Sequence, residues 1–224
     1  MRKNNMPKMK NKNTYVGIVL DESGSMGFGK TITISHFNEQ LQTIQKGAAD
    51  LKGKTKVTFI SFNDQVKSLF TGVSADKVKP IDEKQYNPSG CTALFDAINE
   101  TINSIQAQQG DTDKNSAVLL IILTDGMENA SKISGSTIGS RIQELEETGN
   151  WTFTLMGPNS DVKNIAQILR MKEGNITGFN VDSLEGRLVA SAQMDAATNN
   201  YFSLRSQGYS QSKSFYNQAE ESTN

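Results

Sequence analysis

Five oxygen-bearing side chains at three separate places in the chain are of types and spacings that could do chemistry. Asp21, Ser23 and Ser25 stand in Asp21-Glu-Ser-Gly-Ser-Met-Gly27, Thr92 in Pro88-Ser-Gly-Cys-Thr-Ala-Leu94, and Asp125 in Thr124-Asp-Gly126. Two carboxylates and three hydroxyls make a hard, oxygen-only donor set of the kind that suits Mg2+ or Mn2+. Mg2+ takes six oxygens and keeps several waters, so such a set leaves room for a ligand from outside. The chain has one cysteine, Cys91, and one histidine, His36, so a Cys/His zinc site has no ligands.

A second motif overlaps the first. Gly24-Ser-Met-Gly-Phe-Gly-Lys-Thr31 fits the phosphate-cradling pattern Gly-x-x-x-x-Gly-Lys-Ser/Thr, and Asp125 could pass as the metal-binding carboxylate of such a nucleotidase. That reading sets Asp21 and Glu22 close to the expected phosphates and leaves the Thr92 loop without a role. A serine hydrolase is less well supported. Ser23-Gly-Ser-Met-Gly27 lacks the leading glycine of a nucleophile elbow, and His36 falls inside the next helix, where it reads as a surface or packing residue. Around the five residues, Glu22 would add negative charge at the mouth. Met26 and Phe28 would give an apolar rim or cover the end of the sheet. Glu128 and Asn129 would share the face of Asp125, and Cys91 reads as a small loop residue or a redox-sensitive thiol beside Thr92.

These residues need elements to position them. Tyr15–Asp21, Lys56–Phe62 and Ala117–Thr124 are nearly continuous apolar runs, the mark of strands buried on both faces. Gln65–Phe70 alternates like an antiparallel edge strand. Further strands are expected at Trp151–Met156 and near Ile176–Phe179. Helical spacing recurs in Phe37, Leu41, Ile44, Ala48 and Leu51, and again from Ala93 to Gln108. It returns near Ile138–Leu145 and Val162–Leu169, and in a last helix that starts at Asp182-Ser183, with Glu185 completing a capping box, and runs towards Asn199. Strands alternating with amphipathic helices specify an α/β fold with a mostly parallel sheet and helices on both faces. In such sheets ligands bind beyond the carboxyl ends of the strands, where the three motifs fall.

Taken together, Asp21-x-Ser23-x-Ser25, the Thr92 loop Gly-Cys-Thr-Ala-Leu-Phe-Asp-Ala-Ile98 and Thr124-Asp-Gly126 resemble, in order and spacing, a von Willebrand factor A domain with all three parts of its metal-ion-dependent adhesion site. The resemblance runs from about Thr14 to Asn200. Ile32-Thr-Ile-Ser-His-Phe-Asn-Glu39, Thr124–Asn129 and Phe153–Gly157 are similar to the compact stand-alone members of bacteria and phages. The resemblance implies a Rossmann-like, doubly wound, mainly parallel six-stranded sheet of order 3-2-1-4-5-6 with one antiparallel edge strand. It implies direct metal contact from Ser23 and Ser25, and from Thr92 in one state, with Asp21 and Asp125 acting mainly through water. It implies a sixth position filled by an Asp or Glu of a protein partner, and binding without catalysis.

Composition bounds the rest. The 224 residues carry 23 basic and 24 acidic side chains, a net charge of −1, which gives no overall case for nucleic-acid binding. No apolar run approaches the ~20 residues that cross a bilayer, so no membrane role is expected. A single cysteine excludes an internal disulfide framework and suits a reducing, cytoplasmic setting. Residues 1–13, with Arg2, Lys3, Lys8, Lys10 and Lys12, read as a flexible basic arm. Residues 14–200 read as the A domain, and residues 201–224, rich in Ser, Gln and Asn, as a loose polar tail. Three functions follow as expectations: a metal-dependent protein-binding module, a structural or assembly component of a phage or other complex, and a nucleotidase using Gly24–Thr31.

Overall fold

The computed structural model describes residues 13–126, 128–180 and 183–217. The expected basic arm, apart from Asn13, and the capping position Asp182 lie outside these. Among the described residues six strands form one sheet: β1 (Thr14–Asp21), β2 (Thr55–Phe62), β3 (Val66–Ser74), β4 (Ala117–Leu123), β5 (Trp151–Pro158) and β6 (Ile176–Phe179). Five α-helices flank it: α1 (Lys30–Ala49), α2 (Leu94–Gln109), α3 (Gly135–Glu147), α4 (Val162–Ile168) and α5 (Leu184–Ser206). The strand order is β3-β2-β1-β4-β5-β6, as expected. Every pairing is parallel except β2 with β3, whose register shifts between Val57 and Ile60.

Alternation along the strands divides the core into two layers. Val16, Ile18 and Leu20 of β1 face one side, where Phe37, Leu41 and Ile44 of α1 and Met194, Ala197 and Tyr201 of α5 cover them. Tyr15 and Val19 face the other, against Ile98, Ile102 and Ile105 of α2. Strands buried on both faces need no polar alternation, which is why β1 and β4 read as unbroken apolar runs. The register then sets where the site falls. Leu20 pairs with Leu123, and Asp21 pairs with Phe62, so β1 and β4 end level. The residues that follow, Ser23 on one strand and Thr124-Asp125 on the other, emerge side by side.

The chain after Tyr201 departs from the expected loose tail. The boundary drawn at residue 200 falls inside α5, and Tyr201, Phe202 and Phe215 are buried. Beyond the helix, the Gln211 side-chain amide donates to the carbonyls of Glu146 (2.8 Å) and Trp151 (2.7 Å). The Ser212 N–H donates to Thr152 Oγ1 (2.9 Å) and the Phe215 N–H to Asn175 Oδ1 (2.8 Å). The anchors are aromatic rings and side-chain amides in place of aliphatic residues, so a composition of Ser, Gln and Asn conceals them. At the other end of α5, Ser183 is the N-cap and its hydroxyl accepts from the Gly186 N–H at 3.0 Å, one residue later than the expected Asp182–Glu185 pair.

Candidate metal centre

Asp21 closes β1 and is fully buried. Its Oδ1 accepts from the Ser23 N–H (2.8 Å) and its Oδ2 from the Thr124 hydroxyl (2.6 Å). The Tyr86 hydroxyl donates to the Asp21 carbonyl at 2.6 Å. The aspartate is therefore fixed in orientation from both flanking strands and from the connection before α2. Burial pushes its carboxyl up to about 6, the bonds from Thr124 and Ser23 work against that rise, and the charge of Asp125 adds to it. A carboxylate held this way is costly as a lone anion and is relieved by a cation beside it.

From Asp21 a chain of short contacts crosses to β4. Ser23 Oγ and Ser25 Oγ are hydrogen-bonded at 3.1 Å, and the Ser25 hydroxyl donates to Asp125 Oδ1 at 2.7 Å. Burial raises the Asp125 carboxyl, while the Ser25 bond and the Arg187 charge lower it. Thr92 joins from the third direction. Its N–H donates to Asn129 Oδ1 (2.9 Å), and its carbonyl accepts from the N–H groups of Asn129 and Ala130, each at 3.1 Å. Gly126 lies under the convergence: a Cβ there would sit 3.5 Å from Ser25 Oγ and 3.7 Å from Thr92 Oγ1. All five expected residues are thus brought to one edge of the sheet. Among the described residues no three His, Cys, Asp or Glu side chains gather as a metal-binding group; here two carboxylates are supplemented by hydroxyls.

The loops that carry these residues are stitched to one another. The Ser89 N–H donates to the Glu22 carbonyl (2.9 Å), the Gly24 N–H to the Gly90 carbonyl (3.2 Å) and the Ala93 N–H to the Asn63 carbonyl (2.7 Å). Gly90 has φ of +73°, and a Cβ there would collide with the Asp64 carboxylate. Only glycine is comfortable at that corner.

The surrounding residues sort differently from expectation. Phe28, in the 3-10 segment after Ser23, is 92% exposed, and Cys91, in the loop before α2, is exposed. Met26, expected at the rim, is 5% exposed and belongs to the core under α1 and α5. Glu22 does not open to the mouth: it is buried and its Oε1 accepts from the Asn87 N–H at 2.5 Å. Glu128 is turned to the start of α2. It accepts from the N–H groups of Phe95 (3.2 Å), Ala130 (2.8 Å) and Ser131 (2.6 Å) and from the Ser131 hydroxyl (2.7 Å), a carboxylate placed where a helix N-terminus favours negative charge. Asn129, expected on the face of Asp125, holds the Thr92 backbone there, while Thr124 and Tyr86 are supporting residues to which no expectation gave a role. Thr124 had a signal, its place immediately before Asp125; Tyr86, far from Asp21 in sequence, had none.

The overlapping phosphate motif takes a different shape. Gly24–Gly29 forms a 3-10 helix, and Lys30 Nζ donates to the Glu83 carbonyl at 3.1 Å. His36 is half-buried on α1 with no hydrogen-bond partner at Nε2, while Ser23 and Ser25 bond each other and Asp125.

A doubly wound sheet with hydroxyls and two aspartates gathered where β1 and β4 end carries its polar cluster at the edge where open α/β sheets place ligands. The von Willebrand factor type A domain model matches residues 16–195, and the chain belongs to that family. No curated protein matches it. Among solved structures it is similar to the proximal thread matrix protein 1 of the mussel byssus with a zinc-occupied MIDAS motif, at 15% identity and TM-score 0.55, covering 89% of this chain and 47% of that one. It is similar to manganese-loaded TRAP protein of Plasmodium vivax, at 16% identity and TM-score 0.53, covering 83% and 73%. It is also similar to the domain of the type V pili tip protein Mfa5 from Porphyromonas gingivalis, at 12% identity and TM-score 0.60, covering 89% and 97%. The chain thus spans less than half the length of the mussel protein. These likenesses concern the fold.

Proposed function

We propose that the protein is a divalent-metal-dependent protein-binding module. Ser23, Ser25 and Thr92 would hold Mg2+ or Mn2+ directly, Asp21 and Asp125 would act mainly through water, and a partner Asp or Glu would complete the site. The observation that carries this reading is the convergence of Ser25 Oγ and Thr92 Oγ1 over Gly126, with Ser25 bonded to both Ser23 and Asp125. The donor set fits a hard dication: every candidate atom is oxygen, and Asp21 is an aspartate whose ionisation burial opposes.

The chemistry such an ion supplies is a positive centre on which an oxygen anion from outside can settle. The residues of the chain do the rest. Thr124 and the Ser23 N–H orient Asp21, Asn129 grips the backbone of Thr92, and Ser25 ties the two strand ends together. Because the closest donors are uncharged hydroxyls, little of the ion's charge is neutralised locally, and an acidic partner is attracted. Without the ion, Asp21 and Asp125 would repel the same partner. The activity is recognition, with no bond in the partner made or broken.

The test is thermal denaturation of the whole chain in EDTA and in millimolar Mg2+ or Mn2+. Binding to the folded state alone stabilises by about 2.7 kcal/mol at a hundredfold excess over Kd, so the melting temperature should rise by several degrees. Ser25→Ala, at an exposed position, should fold normally and lose the rise. An equal melting temperature in EDTA and both metals would sink the reading.

A further inference from the structure

The partner's chemistry can be narrowed by the surface that adjoins the candidate centre. Among the described residues five large apolar side chains are exposed: Phe28 (92%), Ile168 (40%), Leu184 (57%), Leu188 (51%) and Val189 (52%). Three of them border one seam. Phe28 lies in the 3-10 segment that carries Ser25, and its neighbour Gly29 meets the first turns of α5: a Cβ at Gly29 would sit 3.0 Å from Arg187 Nη1. Leu184 and Leu188 are one helical turn apart on α5 and share a face. Seven residues further along that face, Asp195 accepts from the Thr43 hydroxyl of α1 at 3.3 Å, so the leucines run along the side of α5 that flanks α1. Nothing in the described chain covers them there.

The seam also carries charge. The Arg187 guanidinium lies over the Phe179 ring at 5.2 Å and its charge reaches Asp125. Arg187, beside Gly29 and the Phe179 ring, adds positive charge next to the candidate centre, and exposed apolar side chains with that charge complement a segment that is both acidic and apolar. Phe28 follows Ser25 by three residues within a 3-10 helix, a rise of about 6 Å, so one extended strand of partner could span both features within about four residues.

We propose that the occupant of this surface is a protein segment bearing a bulky apolar residue within a few positions of its Asp or Glu. The carboxylate goes to the Ser23–Ser25–Thr92 cluster and the apolar group to Phe28, Leu184 and Leu188, with the charge of Arg187 beside Gly29 favouring net negative charge. This rests on the metal-dependent binding reading and adds to it a specificity surface. Exposed apolar groups gathered beside a polar site are the usual mark of such a surface.

The probes are three soluble fluorescent peptides on one Ser/Gly framework: one with Glu and nearby Leu and Phe, one with Glu alone, one with Leu and Phe alone. Polarisation is read with the whole chain, in millimolar Mg2+ and in EDTA, beside its melting temperature. The mixed peptide should bind about tenfold tighter than the Glu-only peptide in Mg2+ and lose binding in EDTA. The double variant Leu184→Ser, Leu188→Ser should erase the preference while keeping the Mg2+ rise in melting temperature. Equal binding of the mixed and Glu-only peptides, binding of the apolar peptide in EDTA as tight as that of the mixed one, or no binding by any of the three overturns this inference. If the metal rise is seen in those same samples, the metal reading stands while the specificity surface falls. If the rise is absent, both fall.

Discussion

The two ends of the sheet are finished in opposite ways. Where β1 and β4 end, the hydroxyls of the candidate site bond to other side chains: Ser23 to Ser25, Ser25 to Asp125, Thr124 to Asp21. Where the strands begin, two side-chain amides are spent on the backbone. Gln211 holds two carbonyls, and Asn150 Nδ2 donates to the carbonyls of Lys114 and Ser116, each at 2.9 Å. A hydroxyl bonded to another hydroxyl can exchange that partner for a ligand at small cost. An amide that satisfies a buried carbonyl cannot, because the carbonyl would be left unpaired at about 1–3 kcal/mol. For these residues, partner type separates the candidate site from the scaffold.

That contrast is broken most directly at the scaffold end. Phe215→Ala empties a fully buried position beside Tyr201 and Tyr216 and should cost about 3–5 kcal/mol in chemical denaturation, with the metal response of the folded fraction retained. A loss under about 1 kcal/mol would mean that the segment after α5 is not integral to the fold.

Asp21→Asn should act in the opposite sense. The folded carboxyl titrates near 6 against 3.8 ordinarily, so its protonated form is favoured by folding. The stability it contributes is complete below about pH 4 and is lost as pH rises to about 6. In EDTA at neutral pH the asparagine variant should therefore be the more stable protein, by about 1–3 kcal/mol, and it should lack the decline between pH 4 and 6. The wild-type rise in melting temperature on adding Mg2+ should grow across the same window and be absent in the variant. Melting curves of both proteins over that pH range decide it.

The smallest effect sharpens the boundary between the two kinds of residue. Glu128 stands close to Asp125 in sequence but serves the start of α2. Glu128→Gln should lower stability by about 1 kcal/mol and leave the Mg2+ response intact; loss of that response would return Glu128 to the site.

The sheet was readable because β1 and β4 are unbroken apolar runs and the helices repeat cleanly between them. The five candidate ligands were readable as a group because each stands at or just after a strand end, or just ahead of a helix, at the same edge. Met26 was not, since a methionine in a glycine-rich loop gives no sign of which way it turns, and here it turns into the core. Glu22 and Glu128 looked available because sequence shows charge but not the backbone N–H groups awaiting it. The packed chain beyond residue 200 was hidden for a related reason: Tyr201, Phe202 and Phe215 are too few and too widely spaced to show a period.

Both described ends of the chain leave from the scaffold side. Asn13 precedes β1 and its Oδ1 accepts from the Lys54 N–H at 3.0 Å, while the Tyr216 N–H donates to the Gly174 carbonyl at 2.8 Å just ahead of β6. Held through either of these described ends, by a fused domain, a bead or a sensor chip, the domain is gripped by its back, with the Ser25–Asp125 edge on the opposite side.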